Sequence, residues 1–177
     1  MIARSAPDQV VETIGIYCDS SVFLDEFPVV RIFENGRSYI PLSTKLSCPD
    51  GMLIKIRGKV IRQSVRYPVA HDSLQYNYLS PLTFEILYNT RQIIKTVSDE
   101  YCRMREKLQE AIAVEGSRLQ LLPNPSWAIW FDTHKNQLIF HSHQYDLMYA
   151  ADIEFIFDLR SRKILDVYAR QRFKGEL

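Results

Sequence analysis

Residues 80–116 read SPLTFEILYNTRQIIKTVSDEYCRMREKLQEAIAVEG, with no glycine or proline between Pro81 and Gly116. Ser80 and Pro81 are typical of a helix start, because a hydroxyl can cap the first turn and proline has no N–H to satisfy at the first helical position. Gly116 is a typical C-cap, since glycine readily takes the left-handed conformation that ends a helix. The stretch therefore predicts one long helix over 80–116.

The apolar stripe of this predicted helix suggests a contact surface. The stripe is broad in the first half and narrows to a seam flanked by charges in the second half, as in paired helices. The residues predicted for self-association are Tyr101, Met104, Arg105 and Leu108. The alternative is that the stripe packs on the protein's own core, because so few turns do not distinguish a period of 3.5 from one of 3.6.

The rest of the chain predicts β-hairpins. Asn35-Gly36 lies between two β-rich runs and favours a type I′ turn. Alternating apolar residues predict further hairpins over 127–143 and 152–168. The predicted fold class is α+β, a mostly antiparallel sheet of hairpins packed against one long helix. The predicted organisation is a single domain over 1–177 with residues 1–10 as a flexible arm.

Composition limits the function classes. The chain has 177 residues, of which 46% are hydrophobic, and a net charge of +1, so no overall field attracts nucleic acid or membrane. No apolar run is long enough to cross a bilayer. The three cysteines are widely spaced and odd in number, which favours a reducing, cytoplasmic compartment over a disulfide framework.

Clustered cations predict contact with an anionic surface. The strand 52–63 alternates apolar and basic residues, and six cations lie in the last 18 residues. The residues predicted for anion binding are Lys55, Arg57, Lys59, Arg160, Arg162, Arg170 and Arg172. The alternative for both clusters is an ordinary water-facing surface.

Catalytic signals are weak. The sequence has no G-x-S-x-G, P-loop or G-x-G-x-x-G motif, and no cofactor is predicted. His141 and His143 would project from one side of a strand and are the candidate metal ligands. Asp132, His134 or Asp146 could supply a third ligand, but no spacing fixes one, so no metal site is predicted.

The segments LIKIRGKV (53–60) and FEIL (84–87), together with the later strand pairs, resemble the matrix proteins of rhabdoviruses, in particular the short plant-infecting type. This resemblance implies self-association, contact with an anionic membrane and a nucleoprotein core, association with a virion, and no catalysis.

The function expected from the sequence is therefore a non-catalytic, self-associating assembly or interaction protein of matrix-like, viral type that contacts anionic surfaces. Its expected partners are copies of itself or another protein, and no small-molecule substrate is evident. Two alternatives remain: a small metal-dependent enzyme using the His-x-His pair, and a nucleic-acid-binding accessory protein.

Overall fold

The computed structural model describes residues 6–19, 28–34, 36–66, 73–113 and 118–173. Contacts divide the chain into two compact units, Met1–Thr90 and Arg91–Leu177, where the sequence predicted one domain. The strands of the first unit are β1 (Val10–Cys18), β2 (Val29–Phe33), β3 (Arg37–Pro41), β4 (Met52–Arg66) and β5 (Ser73–Asn89). The second unit contains α1 (Arg91–Ala111), β6 (Ala128–Asp132), β7 (Gln137–Tyr145), β8 (Tyr149–Asp158) and β9 (Lys163–Phe173). The class is α+β, with mostly antiparallel strands, as predicted.

The first unit is an antiparallel sheet with the strand order β5-β4-β1-β2-β3. Its core forms because alternate residues of β1, β2 and β4 point to one face and are large and apolar. Leu42 adds a parallel bridge to Leu79 of β5. The predicted hairpin of β2 and β3 is confirmed, while Asn35 of its turn lies outside the described residues. The buried core residues are Tyr17, Val30, Ile32, Ile40, Leu42, Met52, Ile54, Ile56, Val60 and Leu79.

The prediction of a helix beginning at Ser80 is wrong. Residues 80–89 belong to β5, and the helix begins at Arg91 and ends at Ala111. The capping signal at Pro81 is overridden because β5 pairs with β4 along its whole length. Pro81 is tolerated because β5 is the outermost strand of its unit, where a missing N–H costs little. Ile86 and Leu87, which belonged to the broad first half of the predicted helical stripe, instead lie in β5, where successive side chains point to opposite faces.

Gly58 explains how β4 and β5 meet at this point. The register shifts between Arg57 and Gly58, and a Cβ on Gly58 would lie 2.6 Å from the Ser80 carbonyl oxygen. The close backbone approach expected of a glycine within a strand is therefore present.

The predicted flexible arm is wrong for its last residues. Val10 begins β1, the Asp8 N–H donates to the Val60 carbonyl at 2.8 Å, and the Val60 N–H donates to the Gln9 carbonyl at 2.8 Å. Residues 1–5 lie outside the described residues.

The second unit is an antiparallel meander, β6-β7-β8-β9, with α1 before it in the chain. The hairpins predicted over 127–143 and 152–168 are confirmed. On α1, Tyr101 makes edge-on ring contacts with Trp127 and with Phe155 of β8, at centroid distances of 5.6 and 6.5 Å. The Tyr101 hydroxyl also donates to the Leu122 carbonyl at 2.6 Å.

The segment between α1 and β6 is fixed by side-chain hydrogen bonds. Gln109 of α1 donates to the Leu119 carbonyl at 2.9 Å and accepts from the Leu121 N–H at 2.7 Å. Gln144 of β7 accepts from the Leu122 N–H at 2.6 Å. These bonds satisfy backbone groups that no strand or helix pairs. Within the described ranges, no helix is both long and apolar enough to cross a membrane.

Candidate functional site: a histidine, aspartate and arginine cluster

The hairpin of β7 and β8 places His143 directly opposite Asp152. The turn before β8 sets this register: Asp146 Oδ1 accepts the backbone N–H groups of Met148 and Tyr149, each at 2.7 Å. His141 lies two residues before His143 and therefore on the same face of β7. Both imidazoles consequently point to the face that carries Asp152.

Asp152 receives hydrogen bonds from three side chains. His141 Nε2 lies 3.0 Å and His143 Nδ1 lies 2.8 Å from Asp152 Oδ1. The Arg172 guanidinium, from the neighbouring strand β9, donates to Asp152 Oδ2. We call these four residues, His141, His143, Asp152 and Arg172, the Asp152 cluster.

Burial differs across the Asp152 cluster. The side chains of His141 and Asp152 are 8% and 16% exposed, whereas that of His143 is 43% exposed. Burial by itself would raise the pKa of Asp152, but the hydrogen bonds from His141, His143 and Arg172 outweigh it and hold that pKa well below its ordinary value. Asp152 is therefore an ionised carboxylate at neutral pH, with one side of the cluster open to solvent.

Aromatic contacts orient the imidazoles. Trp130 of β6 meets the ring of His141 edge-on at a centroid distance of 5.9 Å. The rings of His141 and His143 are stacked at 6.4 Å, and His143 is 5.9 Å from the ring of Tyr145. These neighbours limit the rotation of both histidines, as a preorganised site requires.

The Asp152 cluster offers a set of metal donors. One ligand atom each from His141, His143 and Asp152 lie within 4.8 Å of one another. Two imidazole nitrogens and one carboxylate oxygen suit a divalent transition-metal ion. The same arrangement can instead keep the imidazole N–H protons in hydrogen bonds, since an ionised carboxylate accepts hydrogen bonds from imidazole N–H groups.

Asp152 and Arg172 were not predicted as partners of the histidines. Two of the proposed third ligands serve turns instead: Asp132 Oδ1 accepts the backbone N–H groups of His134 and Lys135, each at 3.0 Å, and Asp146 caps its own turn. The signal in the sequence that could have identified Asp152 is the register of the hairpin, because a turn over 146–149 makes Asp152 the residue opposite His143.

The residues predicted for self-association do not form an exposed seam. Tyr101 is 0% and Leu108 5% exposed, so both are buried by this chain and need no second surface. Met104 and Arg105 are half-buried. Arg105 lines an open groove of about 680 Å³ with Gln109 and Arg118.

The residues predicted for anion binding lie in two settings. On β4, Lys55 pairs with Glu12 at 2.9 Å and Lys59 with Asp8 at 2.7 Å, and Glu12 lies opposite Arg57 in the register. We call Lys55, Arg57 and Lys59 the basic row; Glu12 of β1 and Asp8, which precedes β1, hold its two lysines in ion pairs.

The C-terminal cations are arranged differently. Arg160 and Arg162 are exposed in the turn between β8 and β9, and Arg170 is exposed on β9. Arg172 is engaged with Asp152. The structure thus separates Arg172 from the other predicted anion contacts and brings it to the histidines.

No protein-family model matches this chain, and neither a curated protein nor a solved structure matches it.

Proposed function

We propose that this protein is a non-catalytic, self-associating assembly protein that contacts anionic surfaces. The observation that carries the proposal is the edge strand β9 of the second unit, which exposes three large hydrophobic side chains. The resemblance of the sequence to rhabdovirus matrix proteins agrees with this function. In this proposal, α1 covers the sheet of its unit, and β9 rather than α1 makes the contact between two copies of the chain.

The edge position of β9 favours pairing with another strand. Among the described residues, β9 ends the strand order of its unit and pairs with β8. Three large side chains on it are exposed: Leu165 at 54%, Tyr168 at 51% and Phe173 at 42%. A long edge strand with exposed hydrophobic side chains is a template for strand addition.

The charge pattern of β9 suits a second copy of this chain as the partner. In antiparallel pairing about a twofold axis at Tyr168, residues equally distant from Tyr168 face each other. Asp166 and Arg170 are each two residues away, so every Asp166 would face an Arg170 of the other copy. Opposite charges directly across an antiparallel pair are stabilising.

The substitution Asp166→Arg tests this pairing. It would place arginine opposite Arg170 twice in each dimer, and we expect the dissociation constant to rise about tenfold or more. Sedimentation velocity over a range of concentrations measures the effect. Asp99→Arg, the same change at an exposed position of α1, is the matched control and should associate like the wild type.

A mixture of two charge-reversed variants tests the pairing more specifically. Arg170→Asp carries the reverse change, so chains of Arg170→Asp and Asp166→Arg again present opposite charges to each other. We expect the mixture to form heterodimers while each variant alone stays largely monomeric. A wild type that remains monomeric at every concentration, or an Asp166→Arg variant that associates like Asp99→Arg, contradicts the proposal.

The anionic contact is assigned to the turn between β8 and β9. Arg160 and Arg162 are exposed there, with Lys163 following, and Asp158 is the carboxylate beside them. A turn with this excess of positive charge attracts an anionic membrane, with a contribution of about 1 kcal/mol per cation near the surface. In the basic row, by contrast, Lys55 and Lys59 are each held in an ion pair, with Glu12 and Asp8 respectively.

A further inference from the structure

We propose that the Asp152 cluster binds a divalent transition-metal ion of the Zn²⁺ type, with His141 Nε2, His143 Nδ1 and Asp152 Oδ1 as the three protein ligands. The inference goes beyond the proposed assembly function and does not depend on the pairing of β9. It rests on the geometry of β7, β8 and β9 within the second unit.

The donor atoms are already close to the required spacing. Asp152 Oδ1 is 3.0 Å from His141 Nε2 and 2.8 Å from His143 Nδ1, and the whole set lies within 4.8 Å. Around a tetrahedral ion with bonds of about 2.0 Å, donors lie about 3.3 Å apart. An ion therefore needs the carboxylate oxygen to move a few tenths of an ångström (about 0.3–0.5 Å) away from each nitrogen, and the two nitrogens, which are at most 4.8 Å apart, to lie about 3.3 Å from each other.

Arg172 holds the ligand carboxylate in place. It donates to Oδ2 of Asp152, which leaves Oδ1 directed at the two histidines. Hydrogen bonds to the outer atom of a ligand fix its orientation and are a regular feature of metal sites. The positive charge of Arg172 opposes the ion, whereas the carboxylates of Asp152 and of Glu154, which lies opposite His141 on the same face, attract it.

Metal binding would replace the two hydrogen bonds to Oδ1. Each imidazole nitrogen that donates a proton to Asp152 must present a lone pair instead. Its proton moves to the other ring nitrogen or to solvent, and the carboxylate stays deprotonated. Three protein ligands leave the fourth position of a tetrahedral ion to water on the exposed side of His143.

Titration of the chelator-stripped full chain with Zn²⁺ tests the inference. We expect one ion per chain by isothermal calorimetry, and a melting temperature that rises with free Zn²⁺ because the ion binds only the folded state. Mg²⁺ should produce neither effect, since it prefers oxygen ligands. His143→Ala, at the most exposed ligand, should weaken Zn²⁺ binding at least tenfold and fold normally by circular dichroism.

His134→Ala is the matched control. His134 is an exposed histidine of the turn between β6 and β7, outside the Asp152 cluster, so its loss should leave Zn²⁺ affinity unchanged. If the wild type binds no stoichiometric Zn²⁺, the inference is overturned. It is also overturned if His143→Ala binds Zn²⁺ as tightly as the wild type, because side chains outside the Asp152 cluster would then hold the ion.

Discussion

The basic row on β4 and the Asp152 cluster both join cationic side chains to carboxylates from neighbouring segments, yet their surroundings differ. The ion pairs of Lys55 and Lys59 are open to water, with side chains 40–78% exposed. In the Asp152 cluster, three donors converge on one carboxylate that is 16% exposed. Alternating charges along a strand therefore do not distinguish surface ion pairs from a functional site. The convergence of several donors on one carboxylate, and the burial of that carboxylate, do distinguish them.

The largest expected effect of this difference is on stability. Asp152→Ala should lower the free energy of unfolding by about 2–3 kcal/mol, because His141 and Arg172 lose the partner of a half-buried charge. Glu12→Ala should cost less than about 0.5 kcal/mol, as exposed ion pairs do. Urea denaturation at pH 7 with a chelator measures both. Equal losses would mean that the Asp152 cluster is ordinary surface pairing.

The next effect, on membrane binding, compares the cations of the turn between β8 and β9 with those of the basic row. Arg160→Gln with Arg162→Gln should weaken binding to vesicles containing anionic lipid about thirtyfold, from about 1 kcal/mol for each cation. Lys55→Gln with Lys59→Gln removes the same charge from the basic row and should have little effect. Binding should also fall as salt increases.

Two results in the vesicle assay would contradict the anionic-membrane assignment. One is equal loss from the two double variants, because the basic row would then contribute as much as the turn. The other is binding by the wild type to single-stranded RNA but not to vesicles, which would favour the nucleic-acid alternative.

A smaller effect on stability is expected at Tyr17, whose hydroxyl contacts two polar groups of the first unit. Its hydroxyl donates to Asp19 Oδ1 at 3.0 Å and accepts from the Leu46 N–H at 3.1 Å. Burial raises the pKa of Tyr17 to about 12, with Asp19 adding to the rise and the Leu46 N–H opposing it. Tyr17→Phe should cost about 1 kcal/mol near pH 8, since it removes these hydrogen bonds.

The contribution of Tyr17 to the free energy of unfolding depends on pH with a definite sign. Unfolded tyrosine loses its proton near pH 10, whereas folded Tyr17 keeps its proton to about pH 12. The folded state binds more protons in this window, so stability is complete below pH 10 and falls as the pH rises through 12. Urea denaturation across this range should show a smaller fall for Tyr17→Phe. An identical fall in both proteins would show that Tyr17 is not responsible.

Much of the fold could be predicted because hairpins are local. Alternation around 29–40, 127–143 and 152–168 placed strands that the structure contains. The start of α1 could not be predicted, because Ser80-Pro81 satisfies local rules for a helix while pairing with residues of β4 makes it a strand. Pairing between distant segments is not encoded in a local pattern.

The candidate site divides in the same way. The His-x-His spacing put both imidazoles on one face, since side chains alternate along any strand. Asp152 was missed because its position depends on the register set by the turn at Asp146, and Arg172 because it comes from the next strand. The burial of Tyr101 likewise depends on Trp127 and Phe155, which lie far along the chain.

The sequence by itself determined the α+β class, the hairpins and the shared face of His141 and His143. The reason is that the regular backbone of a strand or helix fixes the direction of each side chain from its spacing along the chain. Only the tertiary structure decided that residues 80–89 form a strand, that Tyr101 and Leu108 are buried, and that Asp152 joins the histidines to Arg172. Those outcomes depend on which segments pair and what they cover, and the free energy of that choice comes from contacts between residues that are distant in the chain.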